Sequence, residues 1–378
     1  MSKTTKQPIS IIGPIFPFRG GITHINSLLI NELENNDCDV QVISFTRQYP
    51  SWIYPGSSDK DPSYLKFHTD GDRIIDPFHP WTWWNTAQRI IRFNPALIII
   101  HWWTTFWSVP FIFMNRFFSH RNKKVVYLVH NVFPHEQKFY DRYLSKLTLN
   151  RGNAFIVFNT HQKKLLKDIN PNTPIELCPM PLYGFPILNK KSKIITRKIL
   201  ELPSKEILLL FFGFIRPYKG LVHLLNAMAL LKERKIFPIL IIAGEFWEDK
   251  SKYKKLINEL NISSMVKIFD YYIPNEELDL FFSSVDIVVF PFTGGTWSAS
   301  AALALGSGLP IIITEKIADG INNVYRKNSI IVPPGNPIAL ADSIENFVKN
   351  PLKHFESSGC KTSDWQYLVN VILKMANT

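Results

Sequence analysis

The chain contains little cysteine, with Cys38, Cys178 and Cys360 as the three such residues among 378. They lie far apart, and no two of them have the spacing of a metal site. This pattern argues against a disulfide framework and against a zinc site, and isolated thiols are typical of a reduced, cytosolic protein. The first residues carry lysines and lead into the short apolar run 9–15. No small-residue cleavage site follows, so we expect no signal peptide.

Modules that bind nucleic acid are also missing. The sequence has no zinc-finger spacing, no aromatic-glycine motif of an RNA-binding sheet and no dense block of lysine and arginine. Its 43 basic and 31 acidic residues nevertheless give a net charge of +12. A surplus of this size favours an acidic partner, and the remaining candidates are a phosphorylated small molecule and an anionic lipid surface.

One uncharged segment has the length of a membrane span. Residues 95–115 contain no Asp, Glu, Lys or Arg, and a spanning helix needs about 20 residues. The β-branched run 96–100 suits a buried strand, however, and Pro110 would break a continuous helix. We therefore predict a strand, a functional loop and a short helix in this segment.

The order of apolar segments indicates two parallel-sheet domains. A strand over 9–15, a helix with apolar residues at helical spacing and a strand over 40–45 form a βαβ unit, which predicts a parallel sheet. Domains of about 150 residues each would fit the length of the chain. Further strands are predicted at 96–100, 124–129, 154–158, 208–212, 239–243, 266–269, 286–290 and 310–314.

The predicted boundaries follow from composition. A Rossmann-like domain occupies 1–182, a linker rich in proline and lysine occupies 183–204, and a second Rossmann-like domain occupies 205–360. The last helix, 361–378, is apolar on one face and packs back toward the first domain. In α/β folds of this type, ligands bind at the carboxyl ends of the strands, so we expect the site in the cleft between the two sheets.

Residues 211–221, FFGFIRPYKGL, have the features of a phosphate-binding turn. Gly213 follows a strand and lets the backbone approach a ligand closely. Arg216 offers a planar fork to phosphate oxygens, and Lys219 offers a mobile point charge. The helix that follows turns its free N–H groups toward an anion.

Two glycine-rich loops follow other strands and are predicted to face the same anion. Gly20 and Gly21 come directly after the first strand, where backbone amides can face a phosphate. The second loop ends the strand at Phe290 and leads into an alanine-rich helix from about Ser300, whose amides can cap a diphosphate. The candidate residues of this second loop are Gly295, Thr296, Trp297, Ser298 and Ala299.

His130 begins the sequence HNVFPHE, directly after a predicted strand. At the carboxyl end of a parallel strand it can hydrogen-bond a sugar hydroxyl or take part in proton transfer. A histidine with a purely structural role could occupy the same position in the sequence. His135 and Glu136 can form an orienting pair, although adjacency alone does not place both side chains in one site.

Nearly the whole chain resembles the retaining, nucleotide-sugar-dependent glycosyltransferases of family 4, which have the GT-B fold. The resemblance rests on PFRGGI, HWWTTFW, HNVFPHE, IRPYKGL, the loop and helix ending in GSGLPII, and Asp364-Trp365 in the last helix. It implies that the first domain is the acceptor side and the second binds the nucleotide sugar. By position, Gly20 and Gly21 would line the sugar-phosphate site, His130 would touch the transferred sugar, and Arg216 with Lys219 would hold the diphosphate.

The sequence departs from the family in its last motif. Members commonly carry two glutamates eight apart, the first near the donor sugar and the second near the ribose. The corresponding positions are Gly295 and Leu303. Neither side chain accepts a hydrogen bond, so the identity of the donor and the turnover of the protein are open.

The predicted activity is transfer of a hexosyl group from a nucleoside diphosphate sugar to a hydroxyl acceptor, with retention, in the synthesis of cell-surface polysaccharide or lipid-linked glycan. Charge on the leaving diphosphate would be stabilised by Arg216, Lys219 and helix amides. We therefore expect no cofactor and no metal, although Asp70-Gly71-Asp72 is a D-x-D match. The alternatives are a sugar-nucleotide epimerase of the same fold and a degenerate, non-catalytic partner protein.

The expected partners are a nucleotide-sugar donor and a glycan or lipid-linked acceptor, without nucleic acid. Six of the ten tryptophans lie between Trp81 and Trp107, a density that suits an interfacial or sugar-stacking surface. In one predicted helix, cationic residues share one face and apolar residues share the adjacent face. A helix with this pattern can bind to anionic lipid. These are Lys138, Arg142 and Lys146 on one face and Phe139, Tyr143 and Leu147 on the next. We expect a cytoplasmic protein that can lie peripherally on the inner face of a membrane.

Overall fold

The computed structural model describes residues 6–50, 54, 56–65, 69–134, 136–184, 192–352 and 358–377, the side chains of 358–362 excepted. Within these residues the chain forms two parallel sheets, each covered by helices on both sides. The predicted α/β architecture with two Rossmann-like domains is confirmed.

The first sheet has seven parallel strands. They are β1 (Gln7–Ile12), β2 (Cys38–Phe45), β3 (Asp72–Ile75), β4 (Leu97–Trp102), β5 (Val125–Val129), β6 (Ala154–Val157) and β7 (Ile175–Leu177). Their order in space is β3-β2-β1-β4-β5-β6-β7. The chain therefore reverses its direction of travel across the sheet between β1 and β4, and a reversal of this kind opens a ligand crevice at the carboxyl ends of the strands.

The second sheet has six parallel strands. They are β8 (Leu208–Phe212), β9 (Ile239–Ala243), β10 (Val266–Phe269), β11 (Ile287–Phe290), β12 (Ile311–Thr314) and β13 (Ser329–Val332). The order β10-β9-β8-β11-β12-β13 repeats the topology of the first sheet, with its reversal between β8 and β11. The loops after β8 and β11 are the two that the sequence assigns to the diphosphate.

The helices follow the strands as crossover connections. In the first half they are α1 (Gly21–Asn35), α2 (Pro80–Phe93), α3 (Ser108–Ser119), α4 (Asp141–Leu149) and α5 (Thr160–Ile169). In the rest of the chain they are α6 (Lys193–Ile199), α7 (Leu221–Glu233), α8 (Lys250–Glu259), α9 (Leu278–Ser284), α10 (Ala299–Gly306), α11 (Glu315–Ala318), α12 (Pro337–Lys349) and α13 (Ser358–Asn377).

The uncharged segment 95–115 is not one helix. Every residue of β4 is buried, as expected for a central strand covered by helices on both faces. A short 3₁₀ turn, Thr105–Trp107, leads into α3, where Pro110 sits in the first turn, a position that tolerates proline. Among the described residues, no helix combines the length and the apolar character needed to span a bilayer.

The predicted linker contains a helix. Of its residues, 185–191 lie outside the described part of the chain, and α6 follows. Arg197 on α6 is buried, donates to the carbonyl of Ser284 and pairs with Asp286 at 2.8 Å. Residues 193–199 therefore pack on the second sheet's domain.

The last helix contacts the first domain. In α13, Trp365 is buried and its Nε1 donates to the carbonyl of Leu182 at 3.0 Å. Lys124 donates to the carbonyl of Met375 at 2.8 Å. The helix packs against α1 of the first domain, and Asp364 accepts hydrogen bonds from Asn322 and Tyr325 of the second. It therefore ties the two domains together, and none of its described residues lines the cleft.

Candidate active site at the interdomain cleft

A cleft of about 660 Å³ lies where the carboxyl ends of the two sheets face each other. The loops after β1, β4 and β5 form one wall, and the loops after β8, β9 and β11 form the other. Both walls contribute charged side chains. These are Arg19, Glu136 and Lys138 from the first domain and Arg216, Lys219 and Glu245 from the second.

The centre of the second wall is built around Gly213. This residue follows β8 with φ of 97°, in the region that favours glycine. A Cβ built on it would lie 3.1 Å from Nζ of Lys219 and 3.2 Å from Oγ of Ser300. A glycine here therefore leaves an opening next to an ammonium and a hydroxyl, which is a suitable space for a phosphate.

Lys219 is buried, with 8% of its surface exposed. Burial, and after it the charge of Arg216, lower the pKa of Lys219 to about 7. An anion bound between these two cations would remove their mutual repulsion and favour the charged form of the lysine. Binding of an anionic ligand therefore relieves the unfavourable electrostatic interaction between Arg216 and Lys219.

Arg216 lies at the mouth of the same space. Its Nη2 pairs with Oε1 of Glu136 from the opposite wall at 2.8 Å. The guanidinium carbon stands 5.4 Å from the ring centre of Tyr218 and 5.3 Å from that of Trp247, distances suited to cation–π attraction. The two aromatic rings hold the guanidinium over the cleft.

Two helix N-termini meet across the cleft. Gly21 begins α1, and a Cβ built on it would lie 2.1 Å from Cβ of Ala299, the first residue of α10. Ser298 caps α10 by accepting a hydrogen bond from the amide of Ala301 at 3.1 Å. Gly20 has nothing within 4 Å of its built Cβ. Both helix ends, where the dipoles are positive, thus face the open space.

Arg19 and Glu245 join the two walls. Nη1 of Arg19 lies 3.0 Å from Oε2 of Glu245, and the guanidinium carbon stands 4.4 Å from the ring centre of Tyr272. The other carboxylate oxygen of Glu245 accepts the amide of Ser57 at 2.7 Å. These contacts lower the pKa of Glu245 against the opposing effect of its burial, which is the largest single influence. Glu245 therefore stays ionised and fixes this end of the cleft.

The loop before α10 anchors the second domain to the first. Oγ1 of Thr296 and Nε1 of Trp297 both donate to the carbonyl of His130, each at 3.0 Å. Thr296 also bonds Asn131, and its carbonyl accepts from Asn159. Thr296 is thus occupied by interdomain bonds, while Trp297 lies on the cleft wall.

His130 is completely buried and lies behind Trp297, with 5.3 Å between the ring centres. Its Nε2 is 2.9 Å from Nδ1 of His101, also fully buried. Burial, followed by the nearby His101, lowers the pKa of His130 well below its usual value, and burial lowers that of His101 to about 3. Both rings are therefore neutral at physiological pH. A catalytic role for His130 remains a prediction, and in this structure its ring does not line the cleft.

This pair predicts an acid-dependent loss of stability. The unfolded chain binds protons on these histidines below pH 6.5, while the folded chain does not, so the free energy of unfolding falls as the pH drops from 6.5 toward 4.5. His101 alone would account for about 2 to 3 kcal/mol between pH 7 and pH 4.5.

The measurement is the midpoint of thermal unfolding between pH 7.5 and 4.5. His101→Asn should show a shallower decline than the native chain, whatever its absolute stability. His120→Gln, at an exposed histidine, serves as the control and should keep the native slope. Equal slopes for the native chain and His101→Asn would contradict the neutral buried pair.

The structure supplies no carboxylate at the two positions where the sequence departs from the family. Leu303 lies on the cleft wall and is buried, with 3% of its surface exposed. Gly295 has φ of 108°, and its built Cβ would be 3.0 Å from Ile317. A side chain at 295 would therefore be strained and crowded, and this backbone favours glycine.

The D-x-D match lies outside the cleft wall. Asp72 begins β3 and pairs with Arg89 of α2 at 2.5 Å. In the described part of the chain, no three His, Cys, Asp or Glu side chains come together in a way that would hold a metal ion. His135, predicted as a partner of Glu136, lies outside the described residues, and Glu136 pairs with Arg216 instead.

Most of the predicted site residues meet in one place. Eight lie on the cleft wall, and His130, Gly295 and Thr296 stand behind it; the eight are Gly20, Gly21, Gly213, Arg216, Lys219, Trp297, Ser298 and Ala299. Sequence reasoning missed Glu245 and Arg19 as a pair. The position of Glu245 directly after Gly244, at the end of β9, was a usable signal.

Two family models match this chain, one in each half. Residues 19–181 match a family model described as Glycosyltransferase Family 4, and residues 192–359 match one described as Glycosyl transferases group 1. A protein from Methanocaldococcus jannaschii, named as an uncharacterized glycosyltransferase, is 26% identical over 220 residues, which are 57% of this chain and 50% of that protein. The chain spans about half the length of the curated relatives it matches.

Two solved structures are similar over nearly the full length. Sucrose-phosphate synthase from Thermosynechococcus elongatus gives a TM-score of 0.66 at 17% identity, covering 98% of this chain and 96% of that one. Anabaena HepE in complex with UDP and glucose gives 0.65 at 14% identity, covering 98% and 97%. At these identities the likeness shows the fold, and the predicted GT-B fold is confirmed.

Proposed function

Since the chain belongs to the glycosyltransferases that join a family 4 domain to a group 1 domain, we propose that it transfers a hexosyl group from a nucleoside diphosphate sugar to a hydroxyl acceptor with retention of configuration. The observation that carries the proposal is the converging pair of cations, Arg216 and Lys219, beside Gly213. A buried lysine whose pKa is lowered to about 7 and a guanidinium at the same opening favour a ligand with several negative charges. A diphosphate has that property.

The proposed chemistry is stabilisation of a leaving group. As the bond between the sugar and the diphosphate loosens, negative charge grows on the phosphate oxygen. In this proposal Lys219, Arg216 and the amides at the start of α10 would stabilise that charge, and because they are fixed in advance they would need no reorganisation during the reaction. The hydroxyl of Ser300, close to Gly213, would add a neutral donor.

The proposal requires no metal and no other cofactor. Two cationic side chains and a helix dipole supply the charge stabilisation that a divalent ion would supply in another design. Activity in the presence of EDTA is the corresponding expectation.

The acceptor is proposed to reach the cleft from the first domain. Lys138 lies on the cleft wall, and the next residue, Phe139, is 97% exposed. Phe139 precedes α4, so it does not share a helical face with Tyr143, which lies in the first turn of α4 and is 68% exposed. An apolar and basic surface thus begins at the mouth of the cleft, as a lipid-linked glycan acceptor would require in the synthesis of cell-surface polysaccharide or lipid-linked glycan.

A second exposed apolar area lies on α2 and α3, which pack against each other, and α3 also packs against α4. Trp81 is 62% exposed, Trp84 is 44% exposed and Phe113 is 38% exposed, whereas the other four tryptophans of the cluster are buried. Arg121 lies close by, over the ring of Phe117 at 3.8 Å. Tryptophans beside cations suit the interface of an anionic membrane, so we propose peripheral binding to such a surface.

Binding to vesicles tests this partner. The native chain should co-sediment with vesicles that contain phosphatidylglycerol and less with vesicles of phosphatidylcholine alone, and salt should weaken the binding. Trp81→Ser with Trp84→Ser should reduce binding several-fold because apolar area is lost. Ile338→Ser on α12, at a residue 59% exposed, is the control; equal losses in both variants would count against a specific surface.

A degenerate, non-catalytic protein is the second candidate, because Gly295 and Leu303 leave those two positions without carboxylates. Proton nuclear magnetic resonance of reactions with UDP-, GDP- and ADP-linked glucose, mannose and N-acetylglucosamine separates the two candidates. An enzyme releases or transfers the sugar with the anomeric configuration of the donor. A protein that leaves every donor intact, with acceptor glycans present, would be the degenerate form, and an inverted product would remove the retaining mechanism.

A further inference from the structure

Two carboxylates lie on the described wall of the cleft, and they are held differently. Glu245 accepts hydrogen bonds from Arg19, from the amide of Ser57 and from the indole of Trp247. Within the described residues, Glu136 makes one ion pair, with Arg216, and its side chain is 59% exposed. Glu245 is thus part of the frame of the cleft, while Glu136 is attached at one point and open to solvent.

The partner of Glu136 is the cation that faces the opening. Arg216 has one planar set of donors, and at 2.8 Å Glu136 already takes Nη2. The rings of Tyr218 and Trp247 both lie near the guanidinium, which limits its freedom to turn. A phosphate that approaches Arg216 from the cleft must therefore compete with the carboxylate for the same guanidinium edge.

The charges favour replacement of Glu136 by a diphosphate as the partner of Arg216. Glu136 carries a single negative charge, and its contact is with Arg216. A diphosphate carries several negative charges and, when bound beside Gly213, would lie near both Arg216 and the buried Lys219. It would also repel the carboxylate of Glu136. Binding of the diphosphate and departure of Glu136 are therefore linked.

The exchange also crosses the domain boundary. Glu136 belongs to the loop after β5 in the first sheet's domain, and Arg216 belongs to the loop after β8 in the second. We propose that Glu136 occupies the phosphate-binding edge of Arg216 in the donor-free protein and gives it up when a diphosphate binds, so that Glu136 sets donor affinity and couples donor binding to release of a contact between the domains. This inference rests on the proposed function, because it takes the diphosphate as the ligand of Arg216.

A double-mutant cycle tests it with calorimetric titration of UDP, GDP and ADP. Glu136→Gln should tighten binding of the diphosphate that the native chain prefers by about two- to fivefold, the range expected for a partly exposed ion pair. In an Arg216→Ala chain the same substitution should change affinity much less, because there is no longer a guanidinium to release.

Asp319→Asn is the matched control. Asp319 also joins the domains, since it accepts hydrogen bonds from the amides of Thr160 and His161, but it does not line the cleft. Its substitution should leave diphosphate affinity unchanged. If Asp319→Asn tightens binding as much as Glu136→Gln does, loosening of the interface explains the effect and the exchange is refuted.

The other outcomes are equally decisive. An unchanged affinity in Glu136→Gln, or an equal gain with and without Arg216, would overturn the exchange while leaving the proposed transferase intact. If the native chain binds none of the three diphosphates, the exchange and the proposed function both fail. The two failures are therefore distinguishable from one set of titrations.

Discussion

We expect Lys219→Met to lower the rate of sugar transfer by more than tenfold, on the order of 2 to 4 kcal/mol of lost charge stabilisation. Methionine keeps the buried aliphatic volume of the lysine stem, so the fold should be retained. The ammonium is lost from the point where it faces Gly213 and Ser300. Steady-state kinetics with the preferred donor measures the effect, and unchanged thermal unfolding shows that the fold is intact.

Substitution of a lysine far from the cleft distinguishes loss of the Lys219 ammonium from the general loss of one positive charge. Lys232, in the last turn of α7, donates to the carbonyl of Asn261 at the surface, so Lys232→Met removes one positive charge far from the cleft. It should retain native activity. If Lys219→Met is as active as Lys232→Met, the assignment of the diphosphate to this lysine is wrong.

The lowered pKa of Lys219 should make diphosphate binding depend on pH. Because the pKa of Lys219 is about 7, the free protein loses this positive charge as the pH rises above 7, and binding of a diphosphate must then take up a proton. Diphosphate affinity should fall from pH 7 to pH 9 in the native chain and should lose this dependence in Lys219→Met.

The second large effect concerns the meeting of α1 and α10. Gly21→Ala should lower transfer on the order of 100-fold, because displacement of a binding group by about 1 Å has that consequence. The new methyl group would lie 2.1 Å from Cβ of Ala299, so the two helix ends must separate and the cleft must widen.

A second substitution, at Ala299, should restore the activity lost in Gly21→Ala. In the double variant Gly21→Ala with Ala299→Gly, the nearest remaining atom is Cα of residue 299 at 3.6 Å, an ordinary contact. Activity should return to within a few-fold of native, measured with the same donor. Failure of the double variant to recover, with both variants folded, would show that Gly21 acts through something other than space between the helices.

The sequence was sufficient to predict several central strands and the turn that follows β8. Strands β8, β9 and β10 occur at the predicted residues, and a helix, α7, follows the turn after β8 as predicted. β8 and β9 are apolar runs of five residues ended by glycine, which is the strongest local signal. β10 was also predicted, although it is an edge strand of four half-buried residues. β3, β7 and β13 were not predicted; each has three or four residues that are mostly half-buried or exposed, and such edge strands carry little pattern.

What the sequence could not provide were relations between distant segments. Glu136 and Arg216, Arg19 and Glu245, and Thr296 with the carbonyl of His130 all join the two domains, and no local pattern encodes such pairs. The burial of His130 depends on Trp297, 167 residues away. In the same way, the density of tryptophans between residues 81 and 107 suggested a surface, yet helix packing buries four of the six.

Calorimetric titration of the native chain and of Lys219→Met with UDP, GDP and ADP, in the presence of EDTA, shows whether this cleft holds a diphosphate. We predict that one of the diphosphates binds the native chain without metal and that Lys219→Met loses most of this affinity. Absence of binding by all three, or equal binding by both chains, would contradict the claim that this cleft holds the diphosphate of a sugar donor.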